Sequence, residues 1–325
     1  MNRSAKARAR ANIALAKYWG KSDTQLNLPA VPSISITLDP LTTETSVEFS
    51  DALGRDEFSL NDQPALAAEL KRASALLDRV RGEAGTGARA RVQSKNFFPT
   101  ASGLASSASG FAALAAAARA AAGLAYDAER TSALARQSSA SAARSVYGGY
   151  VELPAGKPGD ASLPARQLLP AAHMELCIVV AVTAEGRKAV GSTDGMTHTR
   201  ETSPYYESWI EAAPRLANEV REGLLQRDLP RIGRAMEQST LAMHACGLAA
   251  APGLVYWQPA TLAAFQRVRE LRDQGVEVYA TMDAGPHVKA LCLARDAVLV
   301  SRGLSEAPGV LRTILAGPGT GVEIL

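Results

Sequence analysis

Four short stretches of this 325-residue chain collect side chains able to handle anions and protons. "AKYWGK" brings Lys17, Tyr18 and Lys21 together. Two ammonium groups and a phenol can neutralise and position an anion, although in isolation the stretch is better read as a basic strand end. "SSASAARSVYGGYV" sets Arg144 among Ser139, Ser141 and Ser145. A guanidinium there can grip a carboxylate in two places, or it is an ordinary arginine on a helix surface. "MDAGPHVK" puts Asp283 ahead of Ala-Gly-Pro. On so tight a turn a carboxylate can be aimed at a hydroxyl and take its proton, or it simply caps the turn. "PTASGLASSASGFAALAAAARAAAGL" runs from small and hydroxylated residues into alanine. Gly103 lacks a Cβ and Ser102, Ala105 and Ser109 are small, so the backbone can approach a bulky anion. The helix behind them presents free N–H groups and a partial positive charge, and Ser106 and Ser107 add hydroxyls for phosphate oxygens or Mg²⁺. A capped, close-packed helix with nothing bound accounts for the same composition. The stretch is no Walker A loop, because no Gly-Lys-Ser/Thr closes it.

Elements must place these residues. "SISITLDPLTTETSVEFS" alternates on both sides of Asp39-Pro40 and predicts a β-hairpin. "LNDQPALAAELKRASALLDRVRGEAG" predicts a helix capped by Asp62, with Pro64 in its first turn. "ARARVQS" reads as a strand, Tyr126 to Ser139 as a helix, and "SVYGGYVEL" and "MELCIVVAVT" as strands. A helix starts at Ser203-Pro204 and is split or kinked at Pro214. Asp228 caps another from Pro230 to Cys246, with His244 a structural residue within it, and "PATLAAFQRVRELRDQG" is a third, closed by Gly275. "VEVYATMDAGPHVKALCLA" is strand, turn, strand, and "GTGVEIL" an edge strand. Helices and strands mix without strict βαβ alternation, which gives α+β in two domains, 1–184 and 185–325. The basic N-terminal stretch reads as a first strand, with a transit peptide as the alternative.

Composition narrows the class. Hydrophobic residues make up 47%, enough for a sizeable core, and 35 basic against 32 acidic residues, scattered rather than striped, give no case for nucleic acid. No apolar run reaches the roughly 18 residues that span a bilayer. Cys177, Cys246 and Cys292 have no paired spacing and read as buried thiols in a reducing cytosol. The histidines form no metal signature.

The four stretches, with "KAVGSTDGM" (Lys188 to Met196) as a fifth, resemble motifs of the GHMP small-molecule kinases, in family order. The serine-rich loop is similar to that of the diphosphomevalonate decarboxylase family. The resemblance implies the GHMP kinase fold: an N-terminal ribosomal-protein-like α+β domain, a C-terminal ferredoxin-like α+β domain, and a site in the cleft between. It implies ATP-dependent decarboxylation of mevalonate 5-diphosphate to isopentenyl diphosphate, in the mevalonate pathway of isoprenoid biosynthesis. Asp283, Arg144 and Lys17 are then catalytic, with Arg144 on the substrate carboxylate and Lys17 holding Asp283 ionised. Tyr18, Trp19, Gly20, Lys21, Ser139, Ser141, Ser192 and Thr193 bind substrate, Trp19 more by packing than by contact. ATP falls to Asn96, Ser102, Gly103, Leu104, Ala105, Ser106 and Ser107, with Lys188 either on its phosphates or solvated. Mg²⁺ falls to Ser106 and Ser107. A cytoplasmic homodimer without nucleic-acid or membrane partners completes the expectation. Ala140 and Ala143 replace the family's Gly and Cys, and His287 stands where Asn is usual, which puts the hydrogen bonds around Asp283 in question. Rival readings are a plain kinase of the superfamily, a decarboxylase of the monophosphate, and a silent ligand-binding protein.

Overall fold

The structure is a computed structural model and describes residues 4–98, 106–186 and 190–325. In its first part come β1 (Ser4–Ala16), a small β2–β3 ladder (Lys21–Asp23 and Leu28–Pro29), β4 (Ser33–Ser50), β5 (Glu57–Leu60) and β6 (Gln63–Pro64). There follow α1 (Ala67–Ala84), β7 (Arg89–Asn96), α2 (Ser106–Ala121), α3 (Ala128–Ser138), a 3-10 helix (Ala140–Val146), β8 (Tyr150–Leu153) and β9 (Arg166–Leu169). The second part holds β10 (Leu176–Val182), α4 (Ser192–Thr202), α5 (Tyr206–Gln226), α6 (Leu229–Leu248) and α7 (Pro259–Asp273). It closes with β11 (Val278–Thr281), β12 (Val288–Leu293), α8 (Ala297–Ser305), β13 (Arg312–Ala316) and β14 (Glu323–Ile324).

The central strand of the larger sheet is β4, and it corrects the expected hairpin. It runs through Asp39-Pro40 as one strand of 18 residues, antiparallel to β1 along its length, with β8 beside its first half and β7 beside its second. The Pro40 ring removes a ladder donor, and the chain absorbs it as an irregularity: the register steps from Arg10↔Thr42 to Asn12↔Thr37, leaving Asp39 and Pro40 exposed. The helix expected from Asp62 starts later, because Asn61 and Asp62 take φ of 51° and 62° in the β5–β6 turn, Pro64 pairs in β6, and Leu66 precedes the helix. Pro214 does not split its helix, as α5 runs unbroken from Tyr206 to Gln226. The basic start is strand β1, and Lys6, Arg8 and Arg10 are paired with Glu44, Asp39 and Glu323.

The alanine tract does what small side chains permit. All but one of the alanines in α2 are buried against α1, α3, β4 and β7, where larger side chains would hold the layers apart. At its start Ser109 meets Thr43 at 2.7 Å, and Thr43 donates to Asn96 at 2.7 Å, so the first turn of α2 is fastened across β4 and β7.

The second sheet has the order β11-β12-β10-β13. Strand β10 is apolar throughout because both its faces are covered. Leu176, Ile178, Val180 and Val182 join β1, β4, α5 and α6 in one core, whereas Cys177, Val179 and Ala181 face α7 and α8. Strand β10 pairs with β12 and β13 in this second sheet, and the C-terminal β14 returns to pair with β1. Helix α4 has no counterpart in the periodicity reading.

A buried charge ties the halves together. Glu152 of β8 is 1% exposed and receives Arg166 of β9 at 2.6 Å and Arg221 of α5. Both arginines reach water, so Glu152→Gln leaves them hydrated and costs little. Removing both arginines strands the carboxylate in the interior. Arg166→Ala/Arg221→Ala is expected to lower stability by about 3–5 kcal/mol, and clearly more than Glu152→Gln, in denaturant unfolding.

Candidate active site

The serine alternation at the start of β4 has a structural purpose. Ile34 and Ile36 enter the core, and Ser33 and Ser35 face the other way, toward the 3-10 helix that carries Arg144. Arg144 donates from Nε to Ser35 at 3.0 Å, from Nη1 to Ser33 at 2.7 Å and from Nη2 to Asn12 Oδ1 at 3.2 Å. Asn12 is itself fixed by donating to the Ser141 carbonyl and to Ser145. Arg144 is 2% exposed, and its three partners are neutral. A guanidinium has five N–H donors, so the seat orients it and leaves donors for an anion. Burial pulls its pKa down to about 10, against the upward pull of Asp283 and Tyr18. The helix-surface reading of this arginine is thereby replaced.

Asp283 stands on the turn between β11 and β12, where Gly285 N–H donates to its carbonyl at 2.7 Å. Lys17 Nζ reaches Oδ1 at 2.8 Å, and Lys289 Nζ reaches Oδ2 at 3.2 Å. The Lys17 ammonium also donates to the Ala14 carbonyl, and its backbone N–H to Ser239 of α6. Burial pushes the Asp283 carboxyl up, but Lys17 and Lys289 together hold it well below the usual carboxylate range. Burial also lowers Lys17 to about 8, with Asp283 opposing. His287 does not enter this network. Its Nδ1 accepts from Thr183 N–H at 3.2 Å, and burial brings it down to about 4.

Beside Lys17 the chain turns into the site. Tyr18 Oη is buried with no hydrogen-bond partner among the described residues. Trp19, 2% exposed, packs with Met196, Tyr206 and Trp209. Gly20 (φ +100°) lets Tyr206 approach, since a Cβ there would lie 2.3 Å from its hydroxyl. Lys21 is lowered by burial first and then by Arg72, with Asp194 opposing. Ser139 and Ser141 hydroxyls lie 3.3 Å apart beside the Arg144 seat. Ser192 and Thr193 open α4, which lies against Trp19 and Tyr256 through Gly195.

A groove runs along the start of α2, lined among others by Phe58, Leu60, Arg72, Asn96, Ser106, Ser107 and Phe111. It is apolar at one end and hydroxylated at the helix start, which suits a nucleotide base and its phosphates. The two serines supply hard oxygen donors that suit Mg²⁺ alongside phosphate oxygens. Arg72 stands between this groove and Lys21, over the Phe111 ring at 4.4 Å and donating to the Ser138 carbonyl. Ser102, Gly103, Leu104, Ala105 and Lys188 lie outside the described residues. Sequence reasoning passed over Asn12, Ser33, Ser35, Arg72, Ser239 and Lys289. Lys289 closes the quoted "MDAGPHVK" and the serines alternate in "SISIT", so those signals were available, whereas nothing marks Arg72 within its helix.

Known proteins are similar to this chain in sequence and fold. A family model described as diphosphomevalonate decarboxylase-like N-terminal domain matches residues 9–164, and one described as mevalonate 5-diphosphate decarboxylase C-terminal domain matches 178–307. A Candida albicans diphosphomevalonate decarboxylase is 34% identical over 299 residues, 87% of this chain and 83% of that protein. The crystal structure of mevalonate diphosphate decarboxylase from Staphylococcus aureus superimposes with a TM-score of 0.94 at 38% identity, covering 99% of this chain and 98% of the other. A structure described as MDDEF in complex with MVAPP, AMPPCP and magnesium gives 0.92 at 40% identity, with the same coverage.

Lys17 yields a pH prediction. Its folded pKa is lowered, so its charge is lost as pH rises through about 8. Turnover that needs this ammonium on Asp283 falls on the alkaline side with an apparent pKa near that value. Lys17→Arg, which keeps its charge, removes this limb from the kcat profile whatever its effect on the maximum.

Proposed function

Because the chain belongs to the diphosphomevalonate decarboxylase family, we infer that it converts mevalonate 5-diphosphate and ATP to isopentenyl diphosphate, CO₂, ADP and phosphate. The observation that carries this reading is the buried Arg144, which has no carboxylate within ion-pair distance among the described residues, beside a carboxylate held by two lysines. A buried, uncompensated guanidinium is unfavourable unless an anion completes it. The carboxylate of the substrate has the charge and the two-oxygen geometry to do so.

The chemistry follows from these placements. The tertiary 3-hydroxyl oxygen forms a bond to the γ-phosphorus of ATP, and ADP leaves. Departure of the new phosphate breaks the C–O bond and leaves that carbon electron-poor. The C–C bond to the carboxylate then breaks, its electron pair becomes the alkene, and CO₂ is released. Asp283 orients the hydroxyl and receives its proton as the bond to phosphorus forms. Lys17 and Lys289 keep Asp283 ionised beforehand. Arg144 holds the carboxylate in register with the breaking bond until it leaves as a neutral molecule. Tyr18, Lys21, Ser139 and Ser141 lie around the diphosphate, with Ser192 and Thr193 closing from the second domain, and the groove on α2 takes ATP. Mg²⁺, held by Ser106 or Ser107 with phosphate oxygens, supplies charge neutralisation of the triphosphate.

The support for a cytoplasmic location is the three free, buried cysteines, and among the described residues no helix is long and apolar enough to cross a membrane. The homodimer rests on the family resemblance alone.

Two measurements test the reading. The purified protein with ATP and Mg²⁺ should release CO₂, ADP and phosphate in equal amounts from mevalonate 5-diphosphate, and much less from mevalonate or its 5-phosphate. ADP without CO₂ would make it a kinase. Asp283→Asn keeps the shape and removes the base, so kcat should fall by about 10² to 10⁴-fold with little change in substrate Kd. Near-normal kcat with a lower melting temperature would instead make Asp283 a turn cap.

A further inference from the structure

We propose that Lys289 is a positioning residue for the chemical step: its ammonium on Oδ2 of Asp283 locks the carboxylate in the one orientation that meets the 3-hydroxyl. The inference rests on the decarboxylase reading and deepens it. A single bond from Lys17 to Oδ1 leaves the carboxylate free to swing, because the last torsion of an aspartate is broad. A second ion pair on the other oxygen removes that freedom. Lys289 is well placed to do so. It lies in β12, an interior strand of its sheet, with Val180 of β10 opposite on one side and Thr281 of β11 on the other. Its side chain is 1% exposed, and its ion partner among the described residues is Asp283 alone.

Lys289 is also hard to explain as a stabilising residue. It interrupts the otherwise apolar strand "VKALCL". It shares one carboxylate with a second buried lysine, and Arg144 adds a third cation nearby. Burying an ammonium costs several kcal/mol, and such pairs are often replaced by apolar residues with no loss of stability. A lysine placed only for stability would be better as methionine. A lysine placed to aim Asp283 would not.

The groups facing Asp283 are Lys17 after β1, Arg144 from the 3-10 helix, His244 from α6 and Lys289 itself, with His287 facing Lys289. Burial keeps His244 at about 3 and His287 at about 4, so neither changes charge near neutral pH. Losing one cation beside Asp283 raises its pKa, and the acid limb of turnover must move to higher pH.

The test measures kcat, KM and their pH dependence in wild type, Lys289→Met, Lys289→Gln, Lys289→Arg, Asp283→Asn and the Asp283→Asn/Lys289→Met double variant, with thermal melts on each. The expected result for Lys289→Met is an unchanged or higher melting temperature, a kcat lower by about 10- to 100-fold, and a KM within about threefold. Its acid limb should rise by about one pH unit. Lys289→Arg should recover most of the kcat. In the Asp283→Asn background, Lys289→Met should cost less than about threefold more, because both act through one group. Lys289→Gln is read by the same criteria, so a Met variant that does not fold leaves the inference equally exposed. Wild-type kcat with an unmoved acid limb, or a loss fully additive with Asp283→Asn, overturns it. If wild type itself releases no CO₂, the decarboxylase reading has failed; if wild type turns over and the Lys289 variants match it, only the role of Lys289 has.

Discussion

Three buried cations meet one carboxylate that is partly open to solvent, and most of the architecture serves to hold them there. Lys17 follows the end of β1, Arg144 lies on a 3-10 helix, Asp283 on a turn and Lys289 in β12. Their charges do not cancel, and in a low-dielectric interior the surplus makes the site a strong acceptor for anions. The neutral seat of Arg144 follows from the same constraint. A glutamate in place of Ser33 or Ser35 would satisfy the guanidinium and end its attraction for an anion. Hydroxyls and an amide orient it without neutralising it.

Such a cluster needs a rigid frame, because like charges repel and a loose frame would let them part. Strand β10 supplies much of it. Its two buried faces join both sheets into continuous cores, and Lys289 is paired directly against it. Ser239 of α6 holds the Lys17 backbone, and the Trp209 indole donates to the Trp19 carbonyl at 2.8 Å, so α5 and α6 fix the segment between β1 and β2. The groove on α2 is separate from this frame, yet Arg72 lies between the two. Phosphate placed at the start of α2 is therefore close to a cation that also influences Lys21.

His287, where the family resemblance led to Asn, stays out of the hydrogen bonds of Asp283. A neutral, buried imidazole accepting from the Thr183 backbone performs a structural task. The hydrogen bonds of Asp283 come instead from two lysines.

The sequence by itself marked the candidate site residues, because such groups sit in short stretches whose types and spacing are local. Lys17, Arg144 and Asp283 could be named, and so could the Asp228-capped helix and the strand–turn–strand around Asp283. It also specified α2, since an alanine tract behind small polar residues is a local signal. Tertiary structure decided the rest. Asp39-Pro40 reads as a turn, but β1 and β8 pair with the chain on both sides of it, and a bulge takes up the proline. Pro214 reads as a helix break, but packing of Trp209, Ala213 and Val220 into buried clusters outweighs one missing hydrogen bond. Lys289 was visible in its motif, yet nothing local says that its ammonium meets Asp283 rather than water. That contact, like the seat of Arg144 on Ser33, Ser35 and Asn12, joins residues distant in the chain or aimed by strand geometry, and only long-range pairing creates it.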